Sequence, residues 1–263
     1  MGKYDIPAFV DYILNRTNSN ELIYVGYSQG ARLLFITCSE TEYCSKIKLF
    51  IGLAPAVRLL FSRSLPLRLL VNFYNLILPL LTSPIELEVL PKGGFVQTLA
   101  SNICRDFTAA TTICKLALSL IDSYDPLSVT TQTVRVSFGH TPAGTSARNV
   151  AFYAQNYVSN FNKYDYGSSR NLAIYGSAQP PQYALNRTTI PVVLTYGRND
   201  YLVDPKDVMW LATQLPNVLE TYQVRRPTWN HLDYTYSQFI RLEIFLKINQ
   251  YLLQYTNRVR TNG

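Results

Sequence analysis

The sequence predicts an α/β fold: a mainly parallel sheet flanked by helices and broken by one large helical cap insertion. Three observations carry this. Leu22-Ile23-Tyr24-Val25 is a short apolar, partly β-branched run that leads through Gly26-Tyr27-Ser28-Gln29-Gly30 into the apolar start of a helix at Ala31. Residues 48–53 and 191–196 are solid rather than alternating apolar runs, the pattern of strands covered on both faces and hence of a parallel sheet. Between residues 56 and 189 the alternation of strand and helix stops, and it resumes at Ile190. The chain therefore divides into residues 1–55, the first part of the core, 56–189, the cap, and 190–263, the second part of the core. Its 263 residues suffice for a full-sized core.

The elements follow in order. Ile6, Phe9, Val10, Ile13 and Leu14 have helical spacing, which predicts a first helix with Pro7 in its opening turn. The strand at 22–25 is apolar throughout, which suits a place inside the sheet with a neighbour on each side. One of those neighbours is expected in the missing front segment, so in this chain the strand is expected at an exposed edge. A helix from Ala31 to about Glu40 and the strand at 48–53 complete the first part. In the insertion, residues 59–81 are strongly apolar but interrupted by Arg63, Arg68, Asn72, Asn75 and Pro79. They read as cap helices, and the unbroken part falls short of the roughly 20 residues that cross a bilayer, so no transmembrane segment is expected. Residues 98–120 and 142–157 read as two further helices, and 164–181, rich in Gly, Ser, Tyr and Pro, as a loop. The strand at 191–196 runs into the loop Gly197-Arg198-Asn199-Asp200. A helix follows over 205–215 with Asp204 as its N-cap. Residues 218–224 alternate, as at a sheet edge, and a terminal helix spans about 237–255.

Composition narrows the function classes. Hydrophobic residues make up 48% and charged residues 16%, which argues for a globular chain and against disorder. The formal charge of +7 is scattered, with clusters only at Arg225-Arg226 and Arg258 to Arg260. A nucleic-acid partner would call for a dense basic stripe, and none is visible. The cysteines, Cys38, Cys44, Cys104 and Cys114, lack C-x-x-C spacing, so no metal site is expected. Their even number and short spacings allow one or two local disulfides and an oxidising compartment. Asn15-Arg16-Thr17 and Asn186-Arg187-Thr188 are N-glycosylation acceptors of the same tenor. The opening Met1-Gly2-Lys3-Tyr4-Asp5 shows no basic-then-apolar leader, so a front segment is expected to be missing.

The chemistry concentrates on three residues. G-x-S-x-G between a strand and a helix places a serine on a strained turn that lifts its hydroxyl above the sheet. A side chain at Gly26 or Gly30 is expected to clash with neighbouring backbone. The helix N-terminus aims N–H groups, that of Gln29 first, at any oxyanion formed there. A serine nucleophile needs a base, and the chain holds two histidines. His140 stands among small and turn residues, where a structural hydrogen-bonding role is expected. His231 follows the last strand, at the sheet edge that also carries Ser28. Asp200, four residues past a buried strand, is the acid that would orient it. The order Ser28, Asp200, His231 is that of the α/β-hydrolases.

Longer strings carry a resemblance. Gly26 to Gly30, Gly139-His140-Thr141-Pro142-Ala143-Gly144-Thr145-Ser146, Tyr164-Asp165-Tyr166-Gly167, Pro180-Pro181, the run from Asn199-Asp200 to Asp207-Val208, and Asn230-His231-Leu232-Asp233-Tyr234 all resemble the acid lipase family of gastric, lysosomal and insect enzymes. The resemblance covers essentially the whole chain, in order. It implies a partial α/β-hydrolase fold and hydrolysis of acylglycerols or sterol esters at a lipid–water interface. It also implies a secreted or lysosomal glycoprotein without a cofactor, and it carries the triad onto Ser28, Asp200 and His231. Cys104 and Cys114 fall where gastric lipase-like members have a cap disulfide. Family members precede the Lys3-Tyr4-Asp5 segment with a leader, several strands and a His-Gly loop that supplies one oxyanion N–H. An N-terminally truncated chain is therefore expected, with the N–H of Gln29 as the remaining donor. A truncated, catalytically impaired lipid-binding or vestigial protein is the alternative reading, and a non-lipase hydrolase on the same fold is a third.

Overall fold

The computed structural model describes every residue except 75, 77, 79–86, 107–109, 126 and 258–263. In chain order the first part holds α1 (Asp5–Thr17), β1 (Leu22–Tyr27), α2 (Gln29–Glu40) and β2 (Ile47–Leu53). The inserted stretch holds α3 (Leu65–Asn72), β3 (Glu88–Val89), α4 (Phe95–Asp106), α5 (Thr111–Ile121), α6 (Thr131–Phe138), β4 (Thr145–Ser146), α7 (Ala147–Tyr157) and α8 (Ser168–Tyr175). The last part holds β5 (Val192–Tyr196), α9 (Pro205–Gln214), β6 (Val218–Gln223), α10 (Asp233–Tyr236) and α11 (Leu246–Asn257).

β1, β2, β5 and β6 form one parallel sheet in that spatial order, with Val25 opposite Ile51 and Ile51 opposite Val193. The sheet is thus built from both ends of the chain, and the elements α3 to α8 lie between β2 and β5 in sequence. The solid apolar runs behave as expected of two-sided strands. Phe50, Val192 and Leu194 face a core closed by Val10 of α1, Leu34 and Phe35 of α2 and Leu211 of α9. Leu49, Ile51, Leu53 and Val193 face the opposite core, with Trp229, Tyr234, Ile244 and Tyr255. Asp204 caps α9 by accepting from the Lys206 N–H at 3.0 Å, ahead of Pro205. Both cysteine pairs are bridged, Cys38–Cys44 and Cys104–Cys114.

The structure corrects several local expectations. Residues 98–120 are two helices, α4 and α5, rather than one. The disulfide holds the Cα atoms of Cys104 and Cys114 5.9 Å apart, where one continuous helix would separate them by about 15 Å. The helix expected over 142–157 begins only at Ala147, because Ser146 is its cap and accepts from the Asn149 N–H at 3.1 Å. The expected loop at 164–181 contains α8, entered at Gly167 (φ 84°) and left at Gly176 (φ 70°), where the left-handed backbone favours glycine. The terminal helix expected over about 237–255 starts only past Ser237, which bridges to Val129, and opens with a π turn over Arg241–Phe245 that runs directly into α11. β1, by contrast, lies at the end of the sheet as expected for this chain, with β2 as its one partner among the described residues and Val25 44% exposed. Much of 59–81 beyond Tyr74, and Arg258 to Arg260, lie outside the described residues. Among the described residues no helix is long and apolar enough to cross a membrane.

Candidate active site

Ser28 stands between β1 and α2 with φ 51° and ψ −115°, a backbone conformation that costs a non-glycine residue roughly 1–3 kcal/mol. Neighbouring bonds hold it there. Its N–H donates to the Leu53 carbonyl at 2.8 Å, and its carbonyl accepts from Arg32 at 3.2 Å and Ala56 at 3.3 Å. The close approach of α2 to β1 explains Gly26, whose added Cβ would lie 2.8 Å from the Ala31 backbone. The expected clash at Gly30 is not found. Nothing lies within 4 Å of a Cβ built there, because Gly30 already sits inside the first turn of α2, clear of the strand. Gln29 opens α2, so its N–H has no partner within the helix.

The loops after β5 and β6 bring the other two residues to Ser28. His231 Nε2 lies 2.7 Å from Ser28 Oγ, and its Nδ1 lies 3.0 Å from Asp200 Oδ2. A carboxylate only accepts, so the bond to Asp200 places a proton on Nδ1 and leaves Nε2 as the acceptor for the Ser28 hydroxyl. The second oxygen of Asp200 accepts from the Leu202 and Val203 N–H groups at 3.0 and 2.6 Å, which fixes the carboxylate plane. Both side chains are buried. Burial disfavours a charged His231, but the Asp200 charge and hydrogen bond, with Asp122 adding to them, outweigh it and raise the imidazole above its ordinary value. His140, by contrast, is exposed just past α6, and its backbone N–H donates to the Ser137 carbonyl at 2.9 Å.

Four residues that the sequence reading did not single out complete the surroundings. The Tyr27 hydroxyl donates to the His231 carbonyl at 2.8 Å while its ring lies 5.0 Å from the imidazole, centroid to centroid. Burial pushes its phenol up, with Asp200 and Asp122 contributing. Asp122, just past α5, accepts from backbone N–H groups of both site loops. Burial first, then the Asp200 charge, pushes its carboxyl up to about 7. Asn149 and Tyr153 on α7 both donate to the Gln29 side-chain oxygen, at 3.3 and 3.1 Å. Tyr27 was legible only as the variable position of G-x-S-x-G, and the other three lie far from it in sequence.

Ser28 and Gln29 open into a cavity of about 370 Å³ whose walls are mostly apolar, among them Leu59, Leu67, Leu70, Ile121, Val150 and Leu202, with Ser64 and Tyr153 as the other polar side chains. No protein-family model matches the chain. Among individual relatives, Lipase 3 of Drosophila melanogaster is 32% identical over 264 residues, covering 97% of this chain and 65% of that protein. Gastric triacylglycerol lipase of Homo sapiens is 34% identical over 248 residues, covering 93% and 61%. Lysosomal acid lipase/cholesteryl ester hydrolase of Rattus norvegicus is 34% identical over 239 residues, covering 89% and 58%. The chain is a homologue of the acid lipases. This homologue spans about three fifths of the length of those relatives. Solved structures share its fold at low identity. A monoglyceride lipase from Saccharomyces cerevisiae, a soluble variant with a substrate analogue, superposes with a TM-score of 0.54 at 16% identity over 96% of this chain and 68% of that one. A Paleococcus ferrophilus monoacylglycerol lipase gives 0.51 at 12% identity over 94% and 72%. The fold of the acid lipase homologue is accordingly a partial α/β-hydrolase fold.

Proposed function

We propose that this chain carries the catalytic centre of a serine carboxylic ester hydrolase, a lipase that cleaves acylglycerols or sterol esters through an acyl-enzyme. The observation that carries the reading is the continuous hydrogen-bonded line Ser28–His231–Asp200 opening into an apolar cavity. Ser28 Oγ attacks the ester carbonyl carbon as its proton passes to His231 Nε2, and Asp200 stabilises the imidazolium. The carbonyl oxygen becomes an oxyanion within reach of the Gln29 N–H, a kind of donor worth about 10²–10³ in turnover. Nε2–H then protonates the departing alcohol oxygen. Water, with His231 again as base, adds to the Ser28 ester and frees the acid.

The substrate class follows from the walls. Apolar side chains around the serine suit an acyl chain, and the names of the human and rat relatives point to triacylglycerols and cholesteryl esters. Residues 1–55 and 190–263 would supply the three reacting side chains, and 56–189 most of the acyl wall. Phe95, Ile113, Leu116, Leu120 and Leu127 of that stretch are exposed, as a surface meeting a lipid–water interface would be. Two disulfides and the exposed Asn15 and Asn186 support a secreted or lysosomal glycoprotein. The test is covalent labelling by a fluorophosphonate probe followed by peptide mapping. Label is expected on Ser28 and none on Ser28→Ala. Label on another serine would overturn the reading, and lipid binding without any labelling would favour the non-catalytic alternative.

A further inference from the structure

The loops that carry Asp200 and His231 belong to different strands and have no regular structure of their own between β5 and α9 or between β6 and α10. One short segment of the insertion spans them. Asp122 Oδ1 accepts from the Tyr201 N–H at 2.7 Å, and its Oδ2 accepts from the N–H groups of His231 at 2.5 Å and Leu232 at 3.2 Å. Beside it, the Ser123 hydroxyl donates to the Asn199 carbonyl at 2.5 Å, and the Ser123 carbonyl accepts from the Asn230 side-chain amide at 2.7 Å. The acid is thus gripped through residues 199 and 201, on either side of it, and the base through 230, 231 and 232. Asp122 supplies three of these five bonds and all of the charge. It is 3% exposed.

We propose that Asp122 is a positioning residue of this hydrolase: its carboxylate locks the acid loop and the base loop into one register and holds His231 by its own backbone N–H. The proposal rests on the triad reading above. Its logic is that the Ser28–His231–Asp200 line works only if two independent loops keep sub-ångström alignment, and an error of about 1 Å in such a line costs about 10²-fold. A carboxylate suits the task because its two oxygens accept all three N–H bonds at once, whereas an amide offers one acceptor and turns a donor toward one loop. The charge acts too, because the anion favours an imidazolium at His231. The titratable groups facing Asp122 are Asp200, His231 and the Tyr27 phenol.

The test compares wild type with Asp122→Asn and Asp122→Glu on a soluble ester. Asp122→Asn is expected to lower kcat about 10–100-fold with KM within about 3-fold, in keeping with a misalignment effect. It is also expected to move the acid limb of the kcat/KM profile to lower pH, because the anion that favours imidazolium is gone. A scaffold role alone would not move that limb. Asp122→Glu, which keeps the charge, should recover part of the rate and return the limb. A second measurement needs no variant. With only two histidines in the chain, ¹⁵N-histidine labelling gives two backbone amide signals. That of His231, donated to a carboxylate, should lie far downfield of that of His140, which donates to the Ser137 carbonyl, and should move upfield in Asp122→Asn. A His231 amide that is not downfield of the His140 amide in wild type overturns the proposal, as does an Asp122→Asn enzyme that is labelled at Ser28 with rate and limb unchanged. Wild type that takes no label at Ser28 overturns the triad reading and the proposal with it. If Asp122→Asn does not fold, the position of the His231 amide in wild type decides.

Discussion

Raising the pH from 5 to 8 should destabilise this chain markedly, and two carboxyls at the junction between insertion and core set the size of the effect. Burial, with the Asp200 charge second, holds the carboxyl of Asp122 at about 7. Burial likewise pushes Asp233 up to about 7, against the opposing bonds from Ser128 and the Asn230 N–H and with the help of a carboxyl–carboxyl contact with Asp125. In the unfolded chain both ionise near 4, so across pH 4–7 the folded state binds more protons and stability falls as pH rises. Between pH 5 and 8 the loss is about 2.5 kcal/mol for each group, or roughly 5 kcal/mol together. His231 adds in the same sense: its folded-state value is raised, so its contribution is present below its unfolded value and is lost as pH rises through the folded one. Asp11 and Glu220 have lowered values, so they are ionised in both states over this range and cancel. At about 2–4 °C per kcal/mol for a chain of this size, Tm should drop by roughly 10–20 °C, read by calorimetry at constant ionic strength. Asp233→Asn mimics the protonated acid toward Asp125, so it should lose about half of the slope and melt above wild type at pH 8. A Tm that is flat or rising between pH 5 and 8, or an Asp233→Asn slope equal to that of wild type, would refute this account.

Two further outcomes follow from the site. His231→Ala should cost about 10⁴ or more in turnover on an ester substrate, as loss of a triad base does, while His140→Ala, altering an exposed side chain, should stay within about 3-fold in the same assay. Gly26→Ala should lower stability by about 1–3 kcal/mol in chemical denaturation because its Cβ meets the Ala31 backbone. Gly30→Ala, with open space and a helical backbone, should be neutral or gain up to about 1 kcal/mol.

What the sequence made legible were the features that local physics dictates. The solid apolar runs announced two-sided strands, and the turn Gly26 to Gly30 placed Ser28. The position of Asp200 and His231 just past strands placed them at the same sheet edge. The insertion was harder. α8 hides in a Gly- and Tyr-rich stretch because its ends, not its interior, carry the glycines, and α4 and α5 read as one helix because their apolar spacing continues across the break. Asp122 gave no local signal. It looks like a polar residue ending an apolar helix, and its partners are the backbone groups of residues 201, 231 and 232. Arg32 is similar: one turn past Ser28 it reads as a surface charge, yet it is 1% exposed, over the rings of Phe152, Tyr153 and Phe161 at 4.3, 4.6 and 5.3 Å. Pairings across a hundred residues have no period to read.

These long-range contacts fall into two groups, and together they assign the insertion a second task. On one side, Asp122 and Ser123 grip the loops of the acid and the base. On the other, Asn149 and Tyr153 hold the side chain of Gln29, and the Tyr153 ring packs on Arg32, one turn further along α2. α2, whose Gln29 N–H is the proposed oxyanion donor, and the loops of Asp200 and His231 are therefore referenced to the same inserted stretch rather than only to the sheet. A shift of that stretch relative to the core would move the donor and the base together with the acyl wall. Substrate filling the wall between α3, α5 and α7 would then press on the elements that align the triad. On this reading acyl-chain fit should register in kcat as well as in KM, because only contacts that strengthen as the reacting groups align raise the chemical rate.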